Sequence, residues 1–144
     1  MRGNTTLKIA RKTSTQTINN SATQTALTQL LLALGANEIW YFKLVLLLDG
    51  KAVADADVSL TGPSGSTLTY GDIALGAKDA VGADEINFPL VDDLKTVCTV
   101  EGVISTGSTA GNLQALAAQA TANASDLDIL PGSHIEAHRI DDTV

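Results

Sequence analysis

A single cysteine, three prolines, two histidines and five aromatic residues are all that this 144-residue chain holds of those types. One thiol, Cys98, closes no intrachain disulfide and builds no zinc cluster alone, so neither device staples the fold. Acid is missing from the first 37 residues, which carry +4 from Arg2, Lys8, Arg11 and Lys12; the remainder sets five basic residues against sixteen acidic ones. Long apolar runs are missing as well. The longest, residues 39–48, is interrupted by Lys43 and falls well short of the roughly 18 residues a membrane-spanning helix needs. The opening Met-Arg-Gly-Asn-Thr-Thr leads into no apolar stretch, so no export signal is expected.

What is present describes a folded domain. Apolar residues make up 44% and charged residues 17%, outside the composition that keeps chains disordered. A chain of this length buries about two-thirds of the surface its unfolded form exposes, enough for one core. A net charge of −7 argues against nucleic acid as a partner, because phosphate binding requires a clustered cationic face. The basic N-terminal end is the exception. Residues 1–28, rich in Thr, Ser, Asn and Gln with only sparse apolar side chains, read as an extended arm with short edge strands. Its cations suit docking on an acidic neighbouring surface. The body is expected over residues 29–144.

Period-2 alternation marks the strands. Between the turn cluster Gly35-Ala36-Asn37 and the turn pair Asp49-Gly50, the even positions Trp40, Phe42, Leu44, Leu46 and Leu48 form one wholly apolar face. The odd face holds Ile39, Tyr41, Val45 and Leu47 with Lys43 among them. A helix is the alternative, but the aromatic and β-branched content and the flanking turns favour a strand. Ala56, Val58 and Leu60 alternate with Asp, Ser and Thr until Gly62-Pro63-Ser64-Gly65 breaks the pattern. Residues 67–70 read as a short partner, residues 71–84 as a long loop, and Phe88 and Leu90 as a new strand. Residues 96–105 carry Cys98, Val100 and Ile104 on one side, while Val97 and Val103 make the other partly apolar. The Ala-rich residues 113–122 have helix propensity, yet their β neighbours and the preceding glycines favour a strand. Pro131-Gly132 introduces the last strand, residues 133–140. Eight to ten short strands separated by turn signals predict a single-domain all-β sandwich or jelly roll.

Reactive chemistry is sparse. His134, Glu136 and His138 share one strand face and offer the one metal-like row, but this is not a His-Glu-x-x-His helix and the chain has no third histidine. Pairs of Asp at 55/57, 92/93, 126/128 and 141/142 lack the Gly and distal Glu of a calcium loop and read as solvated turns. Residues 62–66 lack the lysine of a phosphate-binding loop, and residues 107–111 place Ser too early for a nucleophile elbow. Cys98 in an apolar strand reads as an inert buried thiol. No cofactor or metal is expected. Trp40 and Tyr41 put rings on opposite faces of one strand, so one of them needs cover from the core or from a subunit interface.

The polar arm, LLLALGANEIWYF at residues 30–42, SLTGPSG at 59–65, VISTGSTAGNLQ at 103–114 and PGS at 131–133 together resemble small virion structural proteins of tailed bacteriophages, above all the capsid decoration (cement) type. The resemblance spans about residues 25–140. It departs at residues 113–119, where an aromatic is expected and this chain has Leu116-Ala117-Ala118. It implies a non-enzymatic β-sandwich, often trimeric, on the outer capsid surface. The implied partners are the major capsid protein and further copies of itself, with no nucleic acid, membrane or small-molecule substrate. The arm is then expected to act as a strap, with Arg2, Lys8, Arg11, Lys12, Trp40 and Tyr41 as the partner-facing residues. Alternatives are a tail or fibre component, a carbohydrate-binding module on a platform of exposed aromatics, and a small metal-dependent enzyme centred on His134 and His138.

Overall fold

The computed structural model describes residues 6–72, 80–81 and 84–141. The hairpin at the centre of the molecule follows directly from the alternating patterns. Strand β4 (Ile39–Asp49) and a second eleven-residue strand, Lys95–Ser105, pair antiparallel along their whole length, from Ile39 opposite Ser105 to Asp49 opposite Lys95. The even positions of β4 point inward, and Trp40, Phe42, Leu44, Leu46 and Leu48 are all buried. At about 1.5–3 kcal/mol per fully buried side chain, these five supply on the order of 10 kcal/mol of gross stabilisation.

In chain order the elements are β1 (Leu7–Arg11), β2 (Gln16–Ile18), β3 (Thr25–Leu34), β4, β5 (Ala56–Thr61), β6 (Thr67–Asp72), β7 (Ala80–Val81), β8 (Ile86–Phe88), β9 (Lys95–Ser105), β10 (Gly111–Gln119), β11 (Leu127–Ile129) and β12 (His134–Arg139). No helix occurs among the described residues. The large sheet runs β1-β12-β4-β9-β6-β7. Strand β11 pairs with the far end of β4, and β2 pairs with β11. The small sheet runs β3-β10-β5-β8. All pairings are antiparallel, and the two sheets close on one core as a β-sandwich. The small sheet contributes Leu27, Leu30, Leu32, Val58, Leu60, Ile86 and Leu113 to that core.

Gly102 shows how tightly the centre is filled. A Cβ there would stand 2.3 Å from the Thr69 carbonyl oxygen, 2.7 Å from Tyr70 Cβ and 2.8 Å from Phe42 Cζ. No side chain fits between β4 and β6 at that level. The Ala-rich segment is a strand, β10, because Ala115 and Ala117 alternate inward between β3 and β5, and tertiary packing overrides the helix propensity of alanine. The loop expected at residues 71–84 lies mostly outside the described residues; within it, β7 pairs with Thr69 and Tyr70.

The N-terminal region differs from the expected free arm. Residues 7–11 hydrogen-bond to the chain's own β12, and residues 16–18 to its own β11, extending the large sheet. Ile18 and Leu27 belong to the core, and the boundary expected at residue 28 falls inside β3. A bulge hides that strand in the sequence pattern. Four β3 residues, Leu27 to Leu30, lie opposite Ala115 alone, and Gln29 takes a left-handed backbone (φ 70°). Leu27 and Leu30 therefore both point inward although they stand three apart.

The polar side chains of the N-terminal region tie this bulge down and join the two sheets along one edge. Gln16 Oε1 accepts from Thr28 N (2.8 Å), and Gln16 Nε2 donates to the Ala26 carbonyl (3.0 Å). Gln29 exchanges hydrogen bonds with Thr13, and Gln114 Nε2 donates to the Leu27 and Leu30 carbonyls. The bonds at Thr28 N and at the Leu27 and Leu30 carbonyls satisfy backbone groups that the bulge takes out of the ladder.

Candidate interaction surface

The six residues expected to face a partner have separate fates. Lys12 is 1% exposed, its Nζ donating to Gln16 Oε1 (3.1 Å), the Thr28 carbonyl (3.0 Å) and Thr28 Oγ1 (3.1 Å). Burial lowers its pKa from the ordinary lysine value. It is an internal tether rather than a contact residue, because the β3 bulge leaves oxygens that need a buried donor. Trp40 is equally buried, its indole N–H donating to Glu38 Oε2 (2.9 Å). Lys8 turns inward: its ammonium hydrogen-bonds to the Ala33 carbonyl and lies 5.4 Å from the centre of the Trp40 ring. Arg11 is exposed, and Tyr41 is half-buried on the outer face of the large sheet. Arg2 lies outside the described residues.

The reactive candidates do not converge. His134, Glu136 and His138 line the outer face of β12, each engaged locally. His134 Nδ1 lies 2.9 Å from the Gly132 carbonyl oxygen, Glu136 stands opposite Lys43, and the His138 ring meets Tyr41 at 6.2 Å between centroids. Among the described residues no three His, Cys, Asp or Glu side chains gather as a metal site. Burial pushes the Cys98 thiol up to about 12, so it stays protonated and is no nucleophile near neutral pH. The Asp pairs serve turns and strand ends: Asp55 accepts from Leu90 N, Asp92 from Ala52 N, and Asp126 from Asn19. Trp40, Phe42, Tyr70 and Phe88 are all buried, which leaves Tyr41 as the one Phe, Tyr or Trp ring on a solvent-facing surface, with the His138 imidazole beside it.

One pole of the molecule is clasped by polar groups. The turns at residues 35–38 and 106–110 meet there, with Asn37 N donating to the Gly107 carbonyl (2.8 Å) and Thr106 N to the Glu38 carbonyl (2.8 Å). Glu38 also accepts from Gly35 N (2.8 Å) and pairs with Arg139 (3.2 Å). The Gly65 backbone packs close against Gly107. Most segments that carry the phage resemblance therefore sit at or beside this pole. The loops of the opposite pole expose Val53, Val91 and Leu94 and are joined by Lys51 to Asp93 (3.0 Å).

The surface that stands out is the outer face of the large sheet. In register across it run Leu7, His138, Tyr41, Val103 and Thr69; then Ile9, Glu136, Lys43, Glu101 and Gly71; then Arg11, His134, Val45 and Thr99. Leu47 opposite Val97 continues it toward the loops. Val97 is 64% exposed, Ile9 59%, Leu7 50% and Val103 41%. Lys43 Nζ lies 3.9 Å from Glu101. Burial, and then the Glu101 carboxylate, raise the Tyr41 phenol above its ordinary pKa. Single exposed aliphatics are normal; here they form two groups, Leu7 and Ile9 on β1 and Val45, Leu47, Val97 and Val103 on β4 and β9, with the His134, Glu136 and His138 row of β12 between them. The sequence signal of the second group is the pair of partly apolar second faces, residues 39–47 and 97–103, which the register places side by side.

No family model matches this chain, and no curated protein matches it either. Among the weakly similar solved structures are two from infectious bursal disease virus. The crystal structure of the infectious bursal disease virus VP2 subviral particle is 10% identical, with 96% of this chain and 42% of that chain covered and a TM-score of 0.35. The structure of the infectious bursal disease virus Gx strain is 11% identical, with 96% and 41% covered and a TM-score of 0.34. This chain spans less than half the length of either. Likeness at that level carries no argument about what the chain does.

Proposed function

We propose that this protein is a non-enzymatic structural component of a virion, of the capsid decoration type that the sequence resembles. In this reading it sits on the outer capsid surface and ties neighbouring copies of the major capsid protein together. The observation that carries the proposal is the set of exposed aliphatics on the outer face of the large sheet, on a sandwich in which no three His, Cys, Asp or Glu side chains among the described residues gather as a metal site. A fastener needs surface and stiffness, and this face supplies both. Several copies held together multiply modest contacts through effective concentration. The excess of acid over base suits a densely covered particle, since like-charged exteriors resist aggregation. The strap role expected of the N-terminal arm is not part of the proposal, because residues 7–18 complete the chain's own sheet.

The test is to add purified protein to bare capsids of the virus that encodes it and image the particles. Ordered density on the shell is the expected result. Density confined to the tail moves the protein to the tail or fibre class, and no density on any particle overturns the virion reading.

A further inference from the structure

The outer face of the large sheet is charge-complementary to itself. Its central ladder places Lys43 of β4 beside Glu101 of β9 and, three levels along, Asp49 of β4 beside Lys95 of β9. Consider a two-fold axis parallel to these strands and midway between them, with two copies stacked face to face. Every β4 residue then meets the β9 residue of its own level on the other copy. Lys43 meets Glu101, Asp49 meets Lys95, Tyr41 meets Val103 and Leu47 meets Val97, each twice. On the flank, Glu136 of β12 meets Gly71 of β6, which leaves its carboxylate room at the rim. No charge in the β4 and β9 ladders faces its like.

We infer that a second copy of this chain occupies the face as an isologous dimer, sheet stacked on sheet. Aligned sheets pack about 10 Å apart. At about 3.3 Å per residue and 4.8 Å per strand, β4 and β9 with the paired parts of β12 and β6 cover roughly 500 Å² per copy. That total of about 1,000 Å² reaches the lower bound for a specific interface and gives a concentration-dependent dimer. The inference concerns the free protein, in which a second copy covers the face that the virion reading gives to the capsid; the two occupants exclude each other there, and the solution test and the particle test can fail separately.

The experiment is analytical ultracentrifugation of wild type, Lys43→Glu and Glu101→Lys, alone and mixed in equal amounts, with far-UV spectra to confirm that each folds. Wild type is expected to dimerise. Each single variant sets like charges face to face twice and is expected to weaken the dimer by about tenfold or more. The mixture restores both cross-copy pairs, which charge pairing within one chain cannot do, and is expected to return to within about threefold of wild type. If either variant fails to fold, Leu47→Lys and Val97→Glu replace the pair, since they meet across the same axis. A monomeric wild type, a trimer, single variants that dimerise as wild type does, or a mixture that stays monomeric each overturns the inference.

Discussion

The two sheets show different outer faces to solvent, although both derive from period-2 sequences. On the small sheet the outward positions include amides, hydroxyls and a carboxylate that satisfy one another, with Leu31 as its one large exposed aliphatic among the described residues. Ser59 donates to Gln24 Oε1 (2.8 Å), Gln24 Nε2 donates to the Asp57 carbonyl (3.2 Å), and Asn87 donates to Asp57 Oδ1 (2.9 Å). On the large sheet the outward positions include Leu7, Ile9, Tyr41, Val45, Leu47, Val97 and Val103, interleaved with the charged pairs Lys43 with Glu101 and Asp49 with Lys95 and the His134, Glu136 and His138 row of β12. The first face ends in water with its polar groups paired internally. The second keeps exposed aliphatic side chains, Val97 at 64% and Ile9 at 59% among them, that nothing among the described residues covers.

Substitutions of four kinds test that contrast, from the core outward. Leu44→Ala, on the inner side of the large sheet, is expected to lose about 2–5 kcal/mol in chemical denaturation by leaving a cavity. Lys12→Ala is expected to lose about 2–3 kcal/mol, since it strands the Thr28 carbonyl that the ammonium satisfies. A neutral result there would return Lys12 to the surface and revive a free N-terminal arm. Gln24→Ala on the small-sheet face is expected to cost about 1 kcal/mol by removing its bonds to Ser59 and Asp57. Val97→Thr combined with Val103→Thr, on the large-sheet face, is expected to stay within about 0.5 kcal/mol while reducing binding of an apolar dye. If that double variant destabilises the fold more than Gln24→Ala does, the aliphatic face is structural and the contrast fails.

Much of the architecture is legible in the residue pattern. The inward row of β4, the β5 alternation and the inner side of β9 follow from side-chain period alone, because a strand sends successive residues to opposite faces. What escapes the pattern is irregular or long-range. The β3 bulge breaks the period that would mark residues 25–34 as one strand, so the start of β3 reads as arm. The pairing of β1 with β12 joins residues more than 120 positions apart, and no local pattern announces it. Lys12 and Lys8 have the look of surface cations because charge is usually solvated; only their acceptors on β3 explain why they turn inward.

Composition and spacing by themselves determined an all-β chain and its principal inward faces. These follow from residue chemistry and a two-residue period, both local properties. Tertiary structure alone decided that the polar N-terminal region completes a sheet, that Trp40 is sealed while Tyr41 is half-exposed, and that two half-apolar strand faces merge into one surface. Those outcomes depend on which strands pair and in what register, and register is settled by the joint packing of the whole core.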